Sequence, residues 1–193
     1  MTTEKFLPSE SALLLIDHQV GTMGWVGSTP YETMKKNAVA LARAAKALDI
    51  PLVLTSSMEE YAQGRLLEEL EQIAPEEYAA RTQRQGVVNA LDDEGFARAV
   101  KATGRRRLIV AGVTNDVCTV YPVLTALDEG YAVEVVADAG GSPTAIADDL
   151  ALRRMADAGA VVSTTNAVLA ELAQNWVGED GQKVLPIVME LMG

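Results

Sequence analysis

The 193-residue chain predicts a three-layer α/β/α sandwich, a single doubly wound domain built on a parallel sheet of about six strands. Three observations carry this. Short, continuous apolar runs recur along the chain, as strands buried on both faces require. Helical stretches with recognisable start and stop residues separate them. Polar residues close several of the runs, where such sheets place their ligands.

In chain order, the first run is 12–16 and ends at Asp17. Ser28-Thr-Pro then opens a helix over 31–48, with proline in its first turn. Residues 51–56 form the second strand, and 79–83 are a candidate for a further one. Acids at 92–94 and Gly104 bracket a helix. The third clear strand is 108–113, followed by a helix from Asp116 to Glu129 that stops at Gly130. Residues 132–137 are a strand with Asp138 at its end. Ser142-Pro143 opens a helix that stops at Gly159, and 160–165 form the last strand. Asp17, Ser56, Thr114 and Asp138 thus come to one rim of the sheet. The segment 21–27 reads as a mobile glycine-rich loop. The pair Gly140-Gly141 reads as a turn.

A hydrophobic content of 49% suits one substantial core, and no linker, repeat or low-complexity tract divides the chain. One domain over 1–193 is expected. A net charge of −11 repels phosphate backbones and anionic lipid, so neither nucleic acid nor membrane is an expected partner. The triplet 105–107 reads as a solvated strand end. A single cysteine forbids an internal disulfide and suits a reducing compartment. The first ten residues lack the apolar region of a secretory leader, and no stretch reaches the ~20 apolar residues of a membrane span. Together these place the protein in the cytoplasm, acting on a small molecule.

Cys118 lies just after a strand and inside the start of a helix. Unpaired N–H groups and the positive dipole end there favour a thiolate and stabilise an oxyanion. Position alone also allows a buried core cysteine. Asp17 is either a helix cap or a partly buried base. His18, the only histidine, follows Asp17 on a strand, points to the opposite face and is read as structural. One Cys and one His cannot build an N/S metal site, so no metal is expected. No phosphate-binding glycine motif or serine-hydrolase elbow is present, and no cofactor is expected. Asp17 as proton acceptor and Arg84 as fixed charge complete a cysteine nucleophile.

These residues resemble the isochorismatase-like cysteine hydrolase superfamily, most closely its YcaC-type branch. The similarity rests on Leu14-Leu-Ile-Asp17-His-Gln, Arg84-Gln-Gly-Val-Val-Asn-Ala and Ala111-Gly-Val-Thr-Asn-Asp-Val-Cys118, and it spans residues 11 to about 176. The resemblance implies a catalytic triad of Asp17, Arg84 and Cys118. It also implies a non-proline cis peptide before Thr114 and an oxyanion hole of the Thr114 and Cys118 N–H groups. Relatives hydrolyse amides and related C–N bonds through a thioester, whereas true isochorismatases cleave a vinyl ether and lack the cysteine. The middle residue is usually Lys, and Arg84 is a departure. Gln19, Trp25 and Asn89 are candidates for the pocket wall, with Trp25 equally readable as a lid or a packing aromatic. A homo-oligomer, tetramer or octamer, is implied. Trp176 and the apolar tail 184–192 either cover a neighbour or pack on their own chain. Arg84 and the helix N-terminus are expected to pull the thiol pKa below the ~8.5 of a free cysteine, or else Cys118 and Asp17 share one proton. Two other functions are weighed. A thiol redox or peroxide-responsive protein lacks a second cysteine to resolve a sulfenic acid. An idle oligomeric family member fits poorly with intact Asp17 and Cys118, although Arg84 leaves it open.

Overall fold

A computed structural model describes residues 5–193. Its six strands are β1 (Ser11–Ile16), β2 (Leu52–Ser57), β3 (Thr82–Arg84), β4 (Arg107–Gly112), β5 (Ala132–Val136) and β6 (Val161–Ser163). All pair in parallel, in the order β3-β2-β1-β4-β5-β6. The helices are α1 (Val20–Gly24), α2 (Tyr31–Ala47), α3 (Glu68–Ile73), α4 (Pro75–Ala79), α5 (Glu94–Ala102), α6 (Val120–Asp128), α7 (Ala145–Asp157), α8 (Thr165–Ala173) and α9 (Glu179–Met192).

Strand alternation builds the layers. On β1, Leu13 and Leu15 face a core shared with α2, α8 and α9, while Ala12, Leu14 and Ile16 face a second core under α5, α6 and α7. Both faces are covered, so β1 is apolar at nearly every position. The chain leaves β1 towards β2 on one side and β4 towards β5 on the other. That reversal opens a crevice at the carboxyl ends of β1 and β4.

Several sequence expectations shift. The candidate strand at 79–83 forms at Thr82–Arg84, which puts Arg84 itself in the sheet. The helix expected from Asp116 begins as a π-helical turn over Asn115–Thr119, and α6 follows. The glycine-rich segment 21–27 is not a free loop, because α1 occupies most of it. At Gly21 a Cβ would lie 1.8 Å from the Ala62 carbonyl oxygen, so only glycine lets α1 pack against the 58–66 segment. The tail 184–192 lies within α9. Its Val184, Ile187 and Val188 pack on their own chain, while Leu185, Met189 and Met192 remain exposed. Trp176 is also exposed. Among the described residues no helix is long and apolar enough to cross a membrane.

Glu134 interrupts the apolar run of β5. It is buried, it accepts a hydrogen bond from Ser163, and its Oε2 has no partner. Burial and the nearby Glu171 push its carboxyl up to about 7. The fold therefore favours the protonated form. That stability is complete below the ordinary carboxylate range and is lost as pH rises through about 7. Glu134→Gln is expected to raise Tm by about 2–4 °C more at pH 8 than at pH 5. Calorimetric scans at the two pH values test this, and an equal shift at both would refute it.

Candidate active site

Three strand ends supply the crevice. Asp17 follows β1, Arg84 ends β3, and Thr114 to Cys118 follow β4. Asp17 has φ 57, a left-handed conformation that Asp tolerates better than most residues. Its N–H donates to the Thr55 carbonyl at 3.0 Å, which pins the bend to β2.

Asp17 and Arg84 are each only 1% exposed. The Arg84 Nη2 donates to both Asp17 carboxylate oxygens. The rest of the guanidinium is also used: Nε donates to Thr55 Oγ1 at 3.1 Å and Nη1 to the Val87 carbonyl. Thr55 in turn donates to the Thr82 carbonyl at 2.8 Å. A buried arginine needs this complete pairing, because an unpaired buried charge costs several kcal/mol. Burial raises the Asp17 pKa, and Arg84 and Cys118 oppose the rise.

Cys118 donates a hydrogen bond from its thiol to Asp17. Its position depends on the π-helical turn. In an α-helix capped by Thr114, the Cys118 N–H would donate to the Thr114 carbonyl four residues back. Here the N–H and hydroxyl of Thr119 take that carbonyl, at 3.0 and 3.2 Å. The wider turn moves the bond one residue on and releases the Cys118 N–H. The Val113–Thr114 peptide is cis, as the family resemblance implies. The Thr114 N–H is hydrogen-bonded to the sulfur.

A second network braces the turn from α7. Asn115 N–H donates to the Gly141 carbonyl at 2.8 Å, and Asp116 N–H to Ser142 Oγ at 3.2 Å. Asp148 accepts from both Ser142 Oγ and Asn115 Nδ2. Gly140 allows the close approach, since a Cβ there would sit 2.3 Å from the Gly112 carbonyl oxygen. The pair Gly140-Gly141 is thus not the turn the sequence suggests: Gly141 runs parallel to Val113 in a single β-bridge, and both glycines lie against the turn that carries Cys118.

The thiol does not follow the expected direction. Burial pushes Cys118 up to about 12, and the like charge of Asp17 adds to the rise; the Thr114 N–H and Arg84 only partly offset it. Burial is the largest cause. Arg84, whose donors are turned to Asp17, Thr55 and Val87 with none to the sulfur, is the smallest opposing influence. The thiol is hydrogen-bonded to the Asp17 carboxyl.

A cavity of about 300 Å³ opens beside Asp17, Thr114 and Cys118. Trp25, Val117 and Pro143 supply its apolar wall, and Trp25 is half exposed. Gln19 also lines it, but its amide is engaged: Nε2 donates to the Ser57 and Gly64 carbonyls, and Oε1 accepts from Ser57 N–H. It braces the loop after β2. Asn89 is not in the wall. It bonds Asp92, Thr125 and the Leu91 N–H, fastening its own turn to α6. Asp138 leaves the rim as well, accepting from the N–H and hydroxyl of Thr165 at the start of α8. Ser56 donates to Glu59. His18 is buried, with Nε2 2.8 Å from the Ala139 carbonyl oxygen, and burial lowers it to about 4. Sequence reasoning missed Thr55, Thr22 and the Ser142–Asp148 brace, because hydroxyls and distant acids carry no local signature. Among the described residues no group of three or more Cys, His or acidic side chains could hold a metal ion.

Comparison with known proteins agrees with this fold. The isochorismatase domain model matches residues 11–167. The probable hydrolase YcaC of Escherichia coli (strain K12) is 40% identical over 169 residues, which span 87% of this chain and 80% of that protein. The solved structure of YcaC from Pseudomonas aeruginosa, with hexane-2,5-diol and covalent acrylamide, has a TM-score of 0.90 and 37% identity. The match covers 100% of this chain and 97% of that one. The solved structure of the Escherichia coli YcaC gene product, an octameric hydrolase of unknown specificity, has a TM-score of 0.90 and 36% identity. Coverage is 100% of this chain and 96% of that one.

Arg84→Ala should leave Asp17 buried without a cation and cost about 3–5 kcal/mol. The loss should be greatest at neutral pH and shrink on acidification, because a protonated Asp17 needs no partner. Arg84→Lys should recover part of it, since the charge returns without the bonds to Thr55 and Val87. Urea unfolding at pH 5 and pH 8 measures both, and a cost independent of pH would argue against the ion pair.

Proposed function

Since the chain belongs to the isochorismatase family, we propose that it is a cysteine-dependent hydrolase of a small-molecule amide or related C–N bond. One observation carries the reading: the Cys118 thiol donates to a buried carboxylate, Asp17, whose charge Arg84 balances. A nucleophile with an adjacent base, and a third group orienting that base, is the arrangement acyl transfer requires.

The reaction runs in two halves. Asp17 takes the thiol proton as the sulfur attacks the carbonyl carbon. The N–H groups of Thr114 and Cys118 receive the oxyanion. The C–N bond then breaks, and Asp17 gives the proton to the leaving amine, which leaves a thioester. Water next attacks the thioester while Asp17 takes one of its protons. The C–S bond breaks, the acid departs and the proton returns to sulfur. Arg84 has too high a pKa to carry protons, so its part is to hold Asp17 in place and balance its charge. A raised thiol pKa suits this scheme, because the proton moves only as attack begins. It also counts against a peroxide sensor, which needs a standing thiolate.

Two features of relatives support the reading. The Pseudomonas aeruginosa protein carries covalent acrylamide, an electrophilic amide that reacts with thiols. The Escherichia coli protein is octameric, and this chain is proposed to self-associate in the same way. Its exposed Trp176, Val177 and Met189 offer apolar surface for that contact.

A panel of short-chain amides, followed by ammonia release, tests the activity. Hydrolysis should disappear in Cys118→Ala, and turnover that survives would end the proposal. Asp17→Asn separates the roles further. Removing the like charge should lower the thiol pKa and speed iodoacetamide alkylation at pH 8, while turnover falls by at least ~100-fold with the base gone. Parallel loss of both would mean a damaged fold. Light scattering at micromolar concentration should report an assembly, and a monomer would refute the oligomer.

A further inference from the structure

The π-helical turn that carries Cys118 is an uncommon way to start a helix, and such turns concentrate at functional sites. Its alternative is an ordinary α-helical start. There the Cys118 N–H would pair with the Thr114 carbonyl and be lost to a substrate. Within the turn, Thr119 opposes that change by giving both its N–H and its hydroxyl to the same carbonyl. Further hold comes from outside. The Asn115 N–H goes to the Gly141 carbonyl, and the Asp116 N–H to Ser142 Oγ. Two adjacent residues of another segment thus tie down the leading N–H groups of the turn.

Ser142 can accept there because its own proton is turned elsewhere. Its hydroxyl donates to Asp148 Oδ1 at 2.8 Å, and the same oxygen accepts from Asn115 Nδ2 at 3.0 Å. The Ser142 N–H donates to Ser28 Oγ at 2.8 Å, and its carbonyl accepts from the Gly27 and Ser28 N–H groups. Ser142 and Asn115 are both buried. Asp148 therefore sets the direction of the buried hydroxyl that holds the turn. An acid in the first turn of a helix commonly serves that helix. In α7 Thr144 fills this part, since its hydroxyl accepts the Ala147 N–H. Asp148 turns its oxygen to Asn115, inside the Cys118 turn, and to Ser142, which grips it. Its negative charge gives a developing oxyanion no help, so the accepting oxygen is what it contributes.

We propose that Asp148 is a positioning residue for the oxyanion hole: through Ser142 and Asn115 it keeps the turn π-helical, and so keeps the Cys118 N–H free for the substrate oxygen. This rests on the hydrolase reading above and adds to it a residue outside the cavity lining. The sulfur is held separately, by Asp17 and the Thr114 N–H. Loss of Asp148 therefore weakens oxyanion binding and leaves the nucleophile in place. Both bonds to Asp148 end on one oxygen, so an amide side chain of the same shape keeps them without the charge.

On the short-chain amide panel, Asp148→Ala should lower kcat about tenfold to a hundredfold, the scale of a displaced oxyanion donor, with little change in KM. Asp148→Asn should recover most of the loss. Ser142→Ala should behave as Asp148→Ala does, and the double variant should be no worse than either, because one relay carries one effect. Two reactions of Cys118 separate positioning from damage, and neither needs amide hydrolysis. Methyl methanethiosulfonate is attacked at sulfur, releases methanesulfinate and builds no oxyanion, so its rate should be the same in native protein and in every variant. Butyraldehyde adds reversibly to the thiol: a C–S bond forms, and the thiol proton ends on the former carbonyl oxygen, in the place of the oxyanion. Its affinity, read as protection from the thiosulfonate, should fall in Asp148→Ala and Ser142→Ala and return in Asp148→Asn. A thiosulfonate rate that falls in Asp148→Ala would mean a damaged turn and overturn the proposal. So would an Asp148→Asn variant as weak as Asp148→Ala, aldehyde affinity unchanged in Asp148→Ala, or native protein that takes up no aldehyde. If the aldehyde pattern holds while native protein hydrolyses no amide, the positioning role stands and the hydrolase reading falls.

Discussion

The ion pair of Arg84 with Asp17 sits where strand order reverses, and much of the crevice is organised around it. Each partner is tolerable in the interior only because of the other. The pair ties the last residue of β3 to the first residue after β1, across the whole width of β2. Thr55, on that intervening strand, touches both: its carbonyl accepts the Asp17 N–H and its hydroxyl accepts from Arg84. Three strand ends are therefore locked in register by one carboxylate, one guanidinium and one threonine. The left-handed backbone at Asp17 persists because this surrounding lattice specifies it.

The other half of the crevice is built from main chain. The π-helical turn after β4 shifts the first helical hydrogen bond from Cys118 to Thr119. An ordinary α-helical start would consume the N–H that an oxyanion needs. Ser142 and Asp148 hold this turn from the side, and Gly140 permits the contact. In the proposed reaction, side chains set the proton chemistry on one wall and a backbone irregularity sets the electrophile-binding geometry on the other.

Much of this arrangement was legible in the sequence. Buried strands reveal themselves as continuous apolar runs, and β1, β2, β4 and β5 lie within a residue or two of their expected bounds. Caps and glycines located α2, α5 and α7 as well. The motif residues Asp17, Arg84 and Cys118 do converge. What escaped depends on tertiary partners. The short α3 and α4 lack side-chain caps, and α8 takes its start from Asp138, 27 residues earlier. Gln19 and Asn89 have the chemistry of pocket residues, but their amides are spent on backbone and neighbouring turns. The direction of the Cys118 shift was missed because its largest cause is burial, and a strand–helix junction in the sequence does not reveal how deeply the thiol is enclosed.

Arginine in place of the usual lysine changes the logic of the site in one respect. A lysine could donate a proton to a departing group as well as charge; arginine offers fixed charge only. Every proton in the proposed cycle must then pass through Asp17. A carboxylate that ionised too readily would not hold that proton between steps, and one left unbalanced in the interior would not release it. The site meets both needs by opposing forces: burial raises the Asp17 pKa, while Arg84 and Cys118 restrain the rise. Arginine suits this balance because its several donors are satisfied at once by Asp17, Thr55 and Val87. Its position is therefore rigid. In the proposed reaction a rigid counter-charge keeps the carboxylate aimed at the sulfur through both halves, and among the described residues it leaves the cavity lining without a cation. The same placement that stabilises Asp17 from behind makes the open side of the crevice negative.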